Sequence, residues 1–167
     1  MLDAATDDAV HIYESSNIKR FVNGTWSPNY TVDDQFANYY NGIHDANFYL
    51  ENLTGLKFET WENTNDYDNW MITYPNFEYE VRFLRAYFYF ELVQLYGDAI
   101  IVKKPLDVTD PELKTARNDR SEVIDFAIED LEAAAELLPK FSELSTEDNG
   151  RISQEGCWAF LSRVALY

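Results

Sequence analysis

The chain has 167 residues, 30 of them Asp or Glu and 13 Lys or Arg, so its net charge is −17. That balance repels nucleic-acid phosphates and anionic lipid headgroups, and nothing larger than the Lys103-Lys104 pair offsets it. Cys157 is the one cysteine, which excludes an internal disulfide, and no apolar run is long enough to span a bilayer.

The opening residues are polar and acidic, and Thr6 is placed to cap a short helix running toward Tyr13. His11 within it reads as a surface or half-buried helix residue, because no second His follows at metal-ligand spacing. Asn17 to Tyr30 is turn-rich, with Asn23-Gly24 and Ser27-Pro28 among small polar residues and two large aromatics, Trp26 and Tyr30. Its two Asn-x-Thr triplets, and a third at Asn52, are read as chance.

Apolar residues then recur at helical spacing from Thr31 to Leu53, with Thr31 as the capping residue and Gly42 inside, where a small residue lets another helix approach. Asn47 on this helix reads as a structural hydrogen-bonding residue. Gly55 to Asn76 reads as a long connection rich in Asn, Asp and aromatics. Its Asp/Asn cluster lacks the central Gly and closing Glu of a calcium loop.

Phe77 to Gly97 is the strongest helical pattern, carrying two apolar stripes, so the spacing predicts a helix sandwiched between neighbours. Val81, Leu84, Phe88, Phe90 and Leu92 are expected among the most buried side chains. Ile100 to Val102 reads as a β-like segment laid over the helices, and Pro105 and Pro111 break any helix after it. Asp119 and Glu122 have capping-box spacing and open a helix to about Leu138. Its acids, Asp130 among them, read as a solvated face. Ser153 caps a last helix to Tyr167 that carries Cys157 as a buried thiol.

These elements predict an all-α fold of helical hairpins with tetratricopeptide-like packing and long loops, in one domain over residues 1–167. Thr31–Leu53 is expected to pair with Phe77–Tyr96, and Asp119–Leu138 with Ser153–Tyr167. No HExxH, CxxC, GxSxG or phosphate-binding Gly-rich loop is present. Three readings stand: a glycan-binding subunit, a helical-repeat scaffold for protein–protein interaction without its own ligand site, and, least supported, an enzyme.

The run FLRAYFYFELVQLYGD from Phe83 resembles the central helix of SusD/RagB proteins, surface glycan-binding lipoproteins of Bacteroidetes-type bacteria. Arg117 with SEVIDFAIEDLEAAAELLP from Ser121, and GRISQEGCWAFLSRVALY from Gly150, resemble the same family in order and spacing. Ile100 departs from the family, whose members usually carry a proline soon after the Gly-Asp pair. The resemblance implies the helical N-terminal part of a larger protein, read as a fragment cut at both ends. It implies a lipid anchor upstream, the external face of the outer membrane, and a TonB-dependent (SusC-like) transporter as partner in nutrient uptake. It implies an oligosaccharide ligand, and neither catalysis, cofactor nor metal.

A sugar ring offers a C–H face to flat aromatics and hydroxyls to Asn and Asp. Two stretches expected to be loops combine both kinds. The ligand candidates are therefore Trp26, Asn29 and Tyr30, and Trp61, Asn63, Asn65, Tyr67, Asp68 and Trp70.

Overall fold

The computed structural model describes residues 2–32, 34–107 and 109–167, the side chains of Leu2 and Asn65 excepted. Among the described residues there are five α-helices and no strand beyond two isolated bridges. The chain divides into two compact units, Met1–Ala37 and Asn38–Tyr167, where the sequence pattern predicts one domain.

In the first unit a 3-10 helix spans Leu2–Ala5, and α1 spans Lys19–Asn23. No helix runs from Thr6 toward Tyr13. The Thr6 hydroxyl instead donates to the Asp3 carbonyl at 2.7 Å, closing the 3-10 turn rather than opening a new helix. His11 is accordingly half-buried but non-helical. Gly24, at φ 65°, takes the left-handed position that ends α1.

In the second unit the helices are α2, Phe36–Asn52; α3, Asn65–Tyr96; α4, Arg120–Leu137; and α5, Gln154–Ala165. α2 itself begins at the end of the first unit, where the Asp34 carboxylate accepts from the Phe36 amide at 3.1 Å, so Asp34 rather than Thr31 sets the start. Asp33, which with Asp34 is expected from the sequence near the positive end of this helix, lies outside the described residues. Asp119 caps α4 by accepting from the Ser121 amide at 2.8 Å. Glu122 takes the Asn118 side chain instead of closing a capping box. Ser153 caps α5 through the Gly156 amide.

α3 differs most from expectation. It starts at Asn65, capped by Thr64, and runs through Pro75. A proline inside a helix removes the hydrogen bond to the carbonyl four residues back, here that of Met71. Pro75 is exposed, so water can serve that carbonyl.

α4 packs on both α3 and α5, and α2 meets α3 through Tyr39, Gly42 and Asn47 against Phe88 and Arg85. Along α3, Ala86, Tyr89, Phe90 and Leu92 are fully buried. Val81 and Phe88 are only half-buried and Leu84 is 43% exposed, which corrects the expected core. The neighbours set the difference: Tyr89 meets Phe126 of α4 edge-on and Phe90 meets Phe160 of α5, while Leu84 and Leu95 are left exposed. Ala127, Ala134 and Ala135 of α4 are all buried, so its backbone can sit close to both neighbours.

Gly42 sits where α2 crosses α3. A Cβ there would collide with the Phe88 ring, which is itself held between Tyr39 and Tyr87. Gly42→Ala would add roughly 1 kcal/mol of helix propensity elsewhere. Here it is expected to lose about 1–3 kcal/mol net by overpacking. Denaturant unfolding checks this, and an unchanged or raised midpoint would contradict the close approach.

Cys157 is buried against Ala134, Ala135 and Leu138, and burial pushes its thiol up to about 12. Ellman's reagent is therefore expected to label it only on unfolding. Rapid stoichiometric labelling of the native protein would contradict this packing.

Candidate functional site

The long loops are placed by a buried polar cluster between α2, α3 and α4. The Arg85 guanidinium forms a fork on Asp130, Nε to Oδ2 at 2.7 Å and Nη2 to Oδ1 at 2.8 Å. Its Nη1 donates to Asn47 Oδ1 at 2.7 Å, and Asn47 Nδ2 donates to the Val102 carbonyl at 2.8 Å. Asp130 is thus a buried anchor, not part of a solvated face; only α4's other acids fit that description, and the helical period alone does not single it out. Asn47 has the structural role expected of it.

The segment after α3 is pinned by side chains standing in for a neighbouring strand. The Tyr89 hydroxyl accepts from the Val102 amide at 2.7 Å and donates to its carbonyl at 3.1 Å. Tyr40 does the same at Ile100, at 2.8 and 3.2 Å. Asn118 Oδ1 accepts from the Ile101 amide, and the backbones of Ala99 and Asn118 form a bridge. Desolvation raises both tyrosines above the usual phenol range, so each remains a neutral donor.

The other connection, between α2 and α3, carries most of the ligand candidates. The buried Tyr74 donates its hydroxyl to the Leu53 carbonyl, tying the end of α2 to α3. Phe58 stands edge-on to Tyr74 with centroids 5.3 Å apart, and Trp70 lies edge-on to Phe77 at 5.7 Å. On this base Phe58, Trp61, Asp66, Tyr67 and Trp70 line a cavity of about 200 Å³. Trp61 and Trp70 are 62% and 57% exposed.

Trp61, Tyr67 and Trp70 therefore come together as candidates, but Tyr67 and Trp70 project from a helix and not from a loop. Pro75 masks this in the sequence. The signal that reveals it is the spacing Tyr67, Trp70, Tyr74, Phe77, which steps by three and four along one helical face. Asn63 and Asp68 are exposed and do not line the cavity. The Asn65 side chain lies outside the described residues. Phe58 and Asp66 are the lining residues that the sequence pattern does not point to.

On the other side of Trp70 an open groove of about 580 Å³ runs between α3 and the α4–α5 connection. Asn69, Asn76 and Phe77 face Glu143, Glu147 and Asp148 across it. The guanidinium of Arg151 lies over the Phe77 ring at 4.5 Å, held by Glu80 at 2.8 and 2.9 Å.

The remaining candidates belong to the first unit. Ser27 and Tyr30 exchange backbone hydrogen bonds around Pro28-Asn29, which makes a tight turn. Trp26 is 58% exposed and tilted against Phe21, and the Arg20 guanidinium sits 4.4 Å over the Tyr30 ring. This is a small exposed aromatic patch. Among the described residues no group of side chains is arranged to hold a metal ion, and no helix is long and apolar enough to cross a membrane.

A family model described as "Starch-binding associating with outer membrane" matches residues 2–166. The chain belongs to the SusD-like family. SusD-like protein P25 of Formosa agariphila is 30% identical to it over 129 residues, covering 77% of this chain and 21% of that protein. A SusD-like protein of Bacteroides fragilis has a similar structure, with a TM-score of 0.69 at 29% identity over 89% of this chain and 26% of its own. A laminarin-binding SusD-like protein gives a TM-score of 0.73 at 26% identity, over 99% of this chain and 34% of its own. This SusD-like chain thus spans between 21% and 34% of the length of these relatives. The all-α fold expected from the sequence is found, and it matches the part of these SusD-like structures that the chain covers.

Proposed function

We propose that this SusD-like chain belongs to a glycan-binding subunit on the external face of the outer membrane. In this reading it holds oligosaccharide against the aromatic cavity and passes it to a TonB-dependent transporter for uptake. Its role is binding and not catalysis. The observation that carries the reading is the pairing of two exposed Trp rings, Trp61 and Trp70, on walls stiffened by Phe58, Tyr74 and Phe77. Rigid aromatic faces lose little entropy on binding and suit the C–H face of a pyranose. Beyond Trp70, the Asn69 and Asn76 side chains in the groove supply donors and acceptors for hydroxyls. Family membership and the laminarin-binding relative support the same class of ligand.

Titration with laminarin and starch oligosaccharides, followed by tryptophan fluorescence, tests this. Saturable quenching or enhancement by at least one of them is expected. A protein that binds neither, in fluorescence and in calorimetry alike, would overturn the reading.

A further inference from the structure

An exposed tryptophan on a helix can move between rotamers unless its neighbours hold it, and Trp70 is such a residue. Its ring meets two others, Tyr74 at 6.5 Å and, edge-on, Phe77 at 5.7 Å. Tyr74 is buried and tied to the Leu53 carbonyl, so its own place is fixed. Phe77 is only half-buried, and one face of its ring is covered from outside α3.

Arg151 provides that cover. It belongs to the α4–α5 connection, where its amide donates to the Asp148 carbonyl at 3.0 Å. Its guanidinium lies 4.5 Å over the Phe77 ring, a cation–π contact. Nε and Nη2 donate to the two carboxylate oxygens of Glu80 at 2.9 and 2.8 Å. Glu80 follows Phe77 by three residues on α3, so the two share one helical face. The fork therefore fixes the plane of the guanidinium as well as its place, which a lysine ammonium cannot do. Trp70, Phe77, Glu80 and Arg151 all line the same groove.

Resting on the proposed glycan-binding role, we infer that Arg151 is a positioning residue for the glycan site. Locked by Glu80, it clamps Phe77, and Phe77 in turn sets the Trp70 ring in the orientation that stacks on sugar. A ring held in place beforehand loses less entropy when the sugar arrives. The α4–α5 connection thus shapes the site through two rings of α3.

Protein labelled with 5-fluorotryptophan tests this, titrated with whichever of the laminarin and starch oligosaccharides the parent binds better. In Arg151→Ala the Trp70 fluorine resonance of the ligand-free protein should shift and broaden, while that of Trp26, in the first unit, stays fixed. Affinity should fall about fivefold through lost pre-organisation. Arg151→Lys keeps the charge without the fork and should show the same change at Trp70. It decides the matter by the same two readouts if Arg151→Ala does not fold. Phe77→Leu should weaken binding by a similar factor, and adding Arg151→Ala to it should cost little more, because both act through one ring. Losses that multiply in the double variant would show Arg151 acting independently of Phe77 and would overturn the inference. So would a Trp70 resonance unchanged in both Arg151 variants while the parent binds glycan, an outcome that spares the glycan-binding reading. A parent that binds neither oligosaccharide defeats that reading and the role in binding together.

Discussion

Changing Arg85 to alanine is expected to cost about 3–5 kcal/mol of folding stability, the range for breaking a buried ion pair from one side. The Arg85 side chain is 7% exposed and that of Asp130 is 4% exposed. Removing the guanidinium leaves the carboxylate with Arg82 alone, at 3.3 Å and off the main fork. It also leaves Asn47 Oδ1 without its donor, so the Asn47 grip on Val102 weakens. Urea unfolding should show a lower midpoint at unchanged slope, and hydrogen exchange at the Val102 amide should quicken. The double change Arg85→Met with Asp130→Leu should recover much of the loss, because an apolar pair of similar volume avoids the buried charge. A loss below about 1 kcal/mol in Arg85→Ala would mean that the cluster does not clamp α2, α3 and α4 together.

Replacing Trp61 or Trp70 by alanine is expected to weaken oligosaccharide binding by about tenfold or more, which is about 1.4 kcal/mol in each case. Trp70 should give the larger loss, because its ring borders both the cavity and the groove. Both rings are more than half exposed, so neither change should unfold the protein. Surface substitutions of this kind usually stay within about 0.5 kcal/mol. Calorimetric titration of each variant, beside its unfolding curve, separates lost contact from lost fold. Parental affinity in both variants would place the ligand elsewhere.

The hairpin fold is legible in the sequence because α2, the second half of α3, α4 and α5 each carry apolar residues at helical spacing. The first half of α3 is hidden by one residue. Pro75 reads as a boundary, yet it is tolerated here on an exposed face. With a boundary at Pro75, Tyr67 and Trp70 read as loop residues, whereas both lie on α3. Their choice as ligand candidates is independent of it, since picking flat rings near Asn and Asp does not depend on the backbone. Which residues converge does depend on it. Phe58 joins the cavity only through Tyr74, whose bond to the Leu53 carbonyl fixes how the chain returns from α2. Burial along α3 differs from the periodicity for a similar reason. Periodicity shows that Leu84 and Phe90 lie on apolar stripes, but only the placement of α4 and α5 decides which stripe is covered. Asp130 shows the same limit in reverse, since its acidity marks it as exposed until Arg85 is placed opposite.

The claim that glycan is held at Trp61 and Trp70 is tested most directly by fluorine NMR of protein labelled with 5-fluorotryptophan. There are 4 Trp residues, so four resonances can be assigned by single substitutions. Trp158, exposed on α5, serves as the internal reference, and Trp26 reports on the first unit. On titration with laminarin or starch oligosaccharide the Trp61 and Trp70 resonances should shift together and saturate at the calorimetric affinity, while Trp158 stays fixed. Binding that leaves Trp61 and Trp70 unmoved would contradict the account.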